Sequence, residues 1–272
     1  MQKIEFTKMH GLGNDFVIID RRSKDIEIND NLIQKLSDRK TGAGCDQLIT
    51  INNTNNKNAD IKIDIFNPSG DKAEACGNGT RCVAKILFNE NIEKETLMIL
   101  SDAGILIAKK VGADISVNMG KITTNWQKIP LSEEMDPLNI PIKVDGFERG
   151  IGVNIGNPHI VFFGKSIENI DLNAIGSKIE NHKFFPNKTN VEFIKIINSK
   201  TIEMKVWERG VGITYACGSG ACAAVFAGIK KNLLSNHVEV KLLKGSLNIS
   251  IVNDEAIMSG PAEISYHGKV EI

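Results

Sequence analysis

Two cysteines share one short context, Ala75-Cys76-Gly77-Asn78-Gly79 and Ala216-Cys217-Gly218-Ser219-Gly220. Each stands just before an apolar-rich helical pattern, Arg81 to Phe88 in one case and Ala221 to Ile229 in the other. A thiol at a helix start meets unpaired backbone N–H groups and the positive end of the macrodipole, so a lowered pKa and a favoured thiolate are expected for both. Gly77, Gly79, Gly218 and Gly220 let a ligand approach bare backbone, where N–H groups suit a carboxylate. Inverting a carbon centre requires one acid/base group that removes a proton from one face and a second that returns a proton to the other. A thiolate and a thiol suffice. The α-proton of an amino acid is weakly acidic, and helix N-termini aimed at its carboxylate would help to stabilise the carbanion in a water-excluded site.

The other three cysteines read differently. Cys82 and Cys222 lie inside the helical patterns without flanking glycine and are expected to pack as small apolar residues. Cys45, in Gly42-Ala43-Gly44-Cys45-Asp46, is assigned no role. An odd number of cysteines without an export signal argues against a disulfide framework. Their spacing does not follow the paired CxxC pattern, so no metal site is expected. Neither a GxGxxG after a strand, nor a GxxxxGK[ST], nor an HExxH is present to suggest nucleotide or zinc chemistry.

The elements that must position Cys76 and Cys217 are found through an internal repeat. Ile65-Phe66-Asn67 leads to Cys76 as Val206-Trp207-Glu208 leads to Cys217, the two cysteines lying 141 residues apart. Gly13-Asn14 matches Gly156-Asn157 and Gln47-Leu48 matches Asn190-Val191, both at an offset of 143. Two homologous halves follow, and a pseudo-twofold axis between them would bring both helix starts to one cleft. Strands are predicted over Phe16 to Asp20, Gln47 to Ile51, Asp60 to Phe66, Ile105 to Lys109, Ile160 to Phe163 and Met204 to Trp207. The helices are apolar or small on almost every face, which predicts burial. The expected class is α+β, with two pseudo-symmetric domains, each a mostly antiparallel curved sheet wrapped around a central helix. The halves are placed at 1–120 and 121–263, with a terminal strand over 264–272 returning to the first. The junction falls near Gly120 to Pro141, where Trp126, Pro130, Pro137 and Pro141 interrupt the pattern.

Composition narrows the class of function. The 272 residues hold 33 Lys plus Arg against 33 Asp plus Glu, without a basic stripe, so nucleic acid is not an expected partner. No apolar stretch approaches the roughly 18 residues of a membrane span, and the N-terminal segment lacks a signal peptide's apolar core. The expected setting is the cytoplasm, and the expected partner a small molecule.

With these residues in view, the chain resembles the diaminopimelate epimerases over essentially its whole length. The segments that carry the resemblance are Met9-His10-Gly11-Leu12-Gly13-Asn14-Asp15-Phe16, Ala75 to Cys82, Gly156-Asn157-Pro158-His159, and Glu208-Arg209 leading to Ala216 to Cys222. The resemblance implies interconversion of LL- and meso-diaminopimelate without pyridoxal phosphate, metal or other cofactor, on the route to lysine and a cell-wall precursor. It implies that Cys76 and Cys217 are the acid/base pair, that Gly77, Asn78, Gly218 and Ser219 hold the reacting carboxylate through backbone N–H groups, and that His159 and Glu208 tune the cysteines. Asn14, Gln47, Asn67, Asn157, Asn190, Glu208 and Arg209 match substrate contacts. Arg209 suits a second carboxylate and Glu208 an ammonium. Tyr266 matches a dimer-interface position, so a homodimer is implied. Two departures are small: Cys45 lies where relatives vary, and Ser219 often appears as threonine. A proline or hydroxyproline racemase-like enzyme, a related isomerase lacking the cysteine pair, and a thiol redox-sensing protein are the alternatives.

Overall fold

The structure is a computed structural model that describes residues 3–74, 76–144 and 146–271. Ala75 of the first cysteine motif and Ile272 of the terminal strand lie outside the described residues. The chain divides into two compact units, Met1–Asn118 with Ser259–Ile272, and Met119–Met258.

The first unit carries β1 (Lys3–Gly11), β2 (Asn14–Asp20), α1 (Asp30–Ser37), β3 (Gln47–Asn52), β4 (Ile61–Phe66), β5 (Lys72–Ala73), α2 (Gly77–Glu90), β6 (Thr96–Ser101), β7 (Gly104–Val111) and the start of β8 (Asp114–Lys121). The β1–β2, β3–β4, β4–β5, β6–β7 and β7–β8 pairs are antiparallel. The β2–β3 and β4–β6 pairs are parallel, because a helix-bearing crossover separates each pair in sequence.

The second unit repeats this order with β9 (Ile151–Asn154), β10 (Pro158–Gly164), α3 (Leu172–Glu180), β11 (Asn190–Asn198), β12 (Thr201–Glu208), β13 (Gly212–Ile213), α4 (Gly218–Lys230), β14 (His237–Leu242), β15 (Gly245–Val252) and most of β16 (Glu255–Gly260). Here β9–β10, β11–β12, β12–β13 and β14–β15 are antiparallel, while β10–β11 and β12–β14 are parallel. The last strand, β17 (Glu263–Glu271), pairs antiparallel with β1. The fold is α+β, mostly antiparallel, as the sequence predicts.

Burial on both faces explains the composition of the inner strands. In β2 and β3, Val17, Ile19 and Leu48 face α1, packing with Leu32 and Leu36, while Phe16 and Ile49 lie under the first turn of α2. In the second unit Ile160, Phe162, Val191 and Phe193 pack with Leu172 and Ile179 of α3. Phe147, Phe162 and Phe193 meet there with ring centroids 5.0 to 6.2 Å apart, contacts worth about 1 kcal/mol each beyond area burial. The central helices pack on matching strands, α2 on β1, β2 and β7 and α4 on β9, β10, β11 and β15.

Two features depart from the sequence reading. Each unit has a second helix, α1 or α3, which is short and begins at a polar cap. Asn29 Oδ1 accepts from the Leu32 N–H and Asp171 Oδ1 from the Ala174 N–H. The central helices also begin earlier than predicted, at Gly77 and Gly218, because a cap rather than helix propensity sets their first turn.

Candidate active site

Both glycine-flanked cysteines are helix N-caps. Cys76 has extended backbone (φ −146°, ψ 108°), and its Sγ accepts from the Gly79 N–H at 3.4 Å. Cys217 (φ −116°, ψ 110°) receives the Gly220 N–H at 3.4 Å in the same way. An α-helix leaves its first N–H groups outside its own ladder. At each cap the third such group is given to sulfur, and those of Gly77 and Asn78, or Gly218 and Ser219, lie one and two residues past the cap. The glycine at the third position leaves a close approach that a side chain would crowd. A Cβ on Gly79 would lie 2.5 Å from Ile49 Cδ1, and one on Gly220 2.7 Å from Glu192 Oε1.

In the first unit the surroundings of Cys76 are amides. The β1–β2 hairpin turns through Leu12 and Gly13, both at positive φ (55° and 89°), and this turn delivers Asn14 to the start of β2. Asn14 Oδ1 accepts from Asn78 Nδ2 at 3.0 Å and lies 4.0 Å from Cys76 Sγ. Gln47, opening β3, donates to Asn67 Oδ1 at 3.0 Å just past β4. Beneath Asn14 is a charged cluster that the sequence reading missed. Asp46 accepts from Asn14 Nδ2 at 2.9 Å, from the Asp15 N–H at 3.0 Å and from Arg39 at 2.6 Å. The nearly buried Lys8 donates to Asp15 at 2.5 Å.

In the second unit the surroundings of Cys217 are ionisable. His159 is fully buried, with Nδ1 2.7 Å from Glu192 Oε1 and Nε2 2.9 Å from Asn157 Oδ1. Asn157 Nδ2 reaches Ser219 Oγ at 3.5 Å, and Ser219 Oγ is 3.5 Å from Cys217 Sγ. Glu208, at the end of β12, accepts a short hydrogen bond from the Thr214 hydroxyl. Its pKa is raised by burial, against which hydrogen bonds from Thr214 and Cys217 act. Asn190 is buried and spends its amide on backbone, donating to Pro158 O at 2.9 Å and accepting the Arg209 N–H at 2.9 Å. Arg209 itself is exposed, with one guanidinium contact to Asn187 O at 3.3 Å.

The thiolate expectation needs correction at Cys217. Burial, and then the neighbouring Glu208 and Glu192 carboxyl groups, push this thiol well above the usual range, although the Ser219 and Gly220 hydrogen bonds pull the other way. Desolvation outweighs the helix cap there. Cys82 is fully buried and driven up to about 12 by desolvation, and burial likewise raises Cys45. Cys222 is fully buried within α4.

Solved structures share the fold. Over its whole length the fold is similar to that of the Bacillus anthracis phenazine biosynthesis protein of the PhzF family (TM-score 0.72, 16% identity, 100% of both chains). It is also similar to a hydroxyproline epimerase from Agrobacterium vitis solved with bound trans-4-hydroxy-L-proline (TM-score 0.70, 11% identity, 98% of this chain and 92% of that one). At these identities the likeness establishes the fold.

In sequence, the family profile described as diaminopimelate epimerase matches residues 6–125 and 151–265. The diaminopimelate epimerase of Pelagibacter ubique is 45% identical over 265 residues, 95% of each chain. The chain belongs to the diaminopimelate epimerase family, which are isomerases acting on an amino acid. The proline racemase-like and redox-sensor alternatives are not favoured by this match.

Proposed function

We propose that the chain interconverts LL- and meso-2,6-diaminopimelate by exchanging the proton on one α-carbon, with Cys76 and Cys217 as the two acid/base groups and no pyridoxal phosphate, metal or other cofactor. The observation that carries this reading is the cap itself. Each unit starts its central buried helix with a cysteine whose sulfur takes the N–H of the third helical residue at 3.4 Å.

In one direction the Cys76 thiolate takes the α-proton and becomes a thiol. The electron pair left on carbon is stabilised by N–H donors on the substrate carboxylate, which the first turns of α2 and α4 provide at Gly77, Asn78, Gly218 and Ser219. The Cys217 thiol then gives its proton to the carbon and becomes the thiolate. The raised pKa of Cys217 suits a group that starts this half-reaction protonated. The reverse direction exchanges the roles.

Asn14, Gln47, Asn67 and Asn157 supply neutral donors and acceptors to the substrate's ammonium and carboxylate groups. Arg209 grips the distal carboxylate, Glu208 meets an ammonium, and Asn190 contributes by holding the Arg209 backbone. His159 acts on the cysteine of its own unit through Asn157 and Ser219.

The reaction supplies meso-diaminopimelate for lysine and cell-wall precursor synthesis, in the cytoplasm. No described helix is long and apolar enough to cross a membrane, and the balanced charge offers nothing to a phosphate backbone. The working form is a homodimer that meets at β17, where Tyr266 and Ile264 are 45% and 40% exposed and the Tyr266 ring leans edge-on against Phe6. Elution as a monomer at micromolar concentration would remove the dimer from this reading.

The test of the chemistry is deuterium uptake from D2O into LL-diaminopimelate by reduced protein without added cofactor. α-Deuteration with inversion is expected, together with its loss in Cys76→Ser and in Cys217→Ser. Absence of exchange in folded, reduced protein would refute the epimerase reading.

A further inference from the structure

The two units are not electrostatically alike beneath their cysteines. At the 143-residue offset, Phe16 corresponds to His159 and Ile49 to Glu192. The strand registers agree, with Phe16 facing Gln47 across β2–β3 and His159 facing Asn190 across β10–β11. Where the first unit puts an apolar Phe16 and Ile49 under Gly79, the second puts the Glu192 carboxyl under Gly220, in contact with the His159 imidazole, both side chains at zero exposure. Burying two ionisable groups is costly, and the first unit shows that apolar residues fill the same place.

Hydrogen-bond inventory fixes the protonation of the pair. The amide of Asn157 faces Ser219 with its Nδ2 and His159 with its Oδ1, so His159 Nε2 must carry a proton. The 2.7 Å contact between Nδ1 and Glu192 Oε1 then needs a second proton, on nitrogen or on oxygen, because two bare acceptors would repel. In either placement the pair is neutral overall. Glu192 Oε2 has no partner among the described residues, which disfavours the charged placement, and burial raises the Glu192 carboxyl in the same sense.

We propose that Glu192 is a positioning residue for Cys217. With His159 it holds one shared proton between Oε1 and Nδ1. This fixes the His159–Asn157–Ser219 line that ends at the Cys217 sulfur, and it spares that half-site one more negative charge when the thiolate forms. The charged and titratable groups facing this point are Cys217 at the α4 cap and Glu208 on β12. With Glu208 already present, an ionised Glu192 would set a second carboxylate against the developing thiolate. The proposal rests on the epimerase reading only for its catalytic consequence, since the state of Cys217 is measurable without substrate.

The experiment compares wild type, Glu192→Gln and Glu192→Ile. It reads the pH dependence of iodoacetamide alkylation at Cys217, resolved from Cys76 by peptide mass spectrometry, and kcat and KM for diaminopimelate. Gln cannot ionise but still offers an N–H to His159 Nδ1, whereas Ile reproduces the first unit's residue and offers nothing. Glu192 with its shared proton and Gln are both uncharged beside Cys217, so in Glu192→Gln the Cys217 alkylation midpoint should stay within about half a pH unit of wild type. In Glu192→Ile kcat should fall about thirtyfold with KM within about threefold, and Glu192→Gln should recover most of that loss. A Cys217 midpoint lowered by about a full pH unit or more in Glu192→Gln, the mark of an ionised Glu192 opposing the thiolate, overturns the proposal, as does a folded Glu192→Ile protein with wild-type kcat. Should Glu192→Ile fail to fold, the Glu192→Gln profile decides alone. Lack of deuterium exchange by wild type would remove the epimerase reading while leaving the alkylation comparison intact.

Discussion

Asn14 donates from Nδ2 to Asp46 Oδ2 at 2.9 Å, and this bond decides which end of the amide faces Cys76. An amide without such a partner can turn over and present a donor in place of an acceptor. Asp46 is itself fixed by the Asp15 N–H and by Arg39, so orientation passes from a surface ion pair to the cap cysteine through one side chain.

Replacing Asp46 with Ala should therefore weaken catalysis without touching a reacting group. The expected loss in kcat/KM is about 10-fold to 100-fold, the usual cost of freeing a residue one contact from the chemistry. Steady-state kinetics together with a near-UV circular dichroism spectrum would check it. A native spectrum with undiminished kcat/KM would show that Asn14 holds its orientation unaided.

At Cys217 the expected response has a definite sign. Burial raises the thiol first, and the negative charge of Glu208 raises it further. Removing one negative neighbour favours the thiolate, so Glu208→Gln should shift the midpoint of Cys217 alkylation to lower pH, by about one unit. At pH 8 the variant should then alkylate faster than wild type even as turnover falls. An unshifted midpoint would assign the whole displacement to burial.

The sequence made the two cap positions legible because a CGxG turn appears twice at a fixed offset, and repetition is readable without any structure. Strand positions such as Gln47–Ile51 were legible for the same reason, being runs of apolar residues with polar ends. The ionisation of Cys217 was not, since it depends on Glu192 and Glu208 brought close by strands, and on a burial that no local pattern encodes. Glu192 did leave a signal. Carrying the Gln47-Leu48 match one residue further aligns Ile49 with Glu192, and a carboxylate at an apolar strand position is the anomaly that marks the buried pair. The short helices α1 and α3 escaped because eight or nine residues hold too few turns for periodicity to stand out.

The charged cluster under Asn14 predicts acid sensitivity. Burial alone would raise Asp15, but hydrogen bonds and charge from Arg39 and Lys8 outweigh it and hold the carboxyl at about 2 against an ordinary 3.8. A folded-state pKa below the unfolded one adds stability that is present above the unfolded value and disappears as pH falls through the folded value. The window is thus about pH 4 down to 2, and the contribution about 2 kcal/mol at neutral pH. Asp15→Asn should cost at least that much at pH 7, because it also leaves Lys8 buried beside a neutral partner. Urea unfolding at pH 7 and at pH 2.5 would test this. The deficit of the variant should shrink at the lower pH, where wild type begins to lose the same pairing, and a pH-independent deficit would trace the loss to packing.

Gly79 offers a test of how tightly the α2 cap is seated. Its missing Cβ would lie 2.5 Å from Ile49 Cδ1 and 3.3 Å from Phe16 Cε1, and both neighbours are fully buried. Gly79→Ala should therefore push the first turn of α2 off β3, costing about 1 to 3 kcal/mol and displacing the N–H that Cys76 Sγ accepts. Removing the obstructing methyl should give the added one its space. Gly79→Ala combined with Ile49→Val is expected to recover stability relative to Gly79→Ala, although Ile49→Val alone should cost about 1 kcal/mol as an ordinary core truncation. A double-mutant cycle by chemical denaturation measures the coupling. Strictly additive losses would show that the clash is relieved elsewhere, and that the cap is not seated on Ile49 as tightly as the distances indicate.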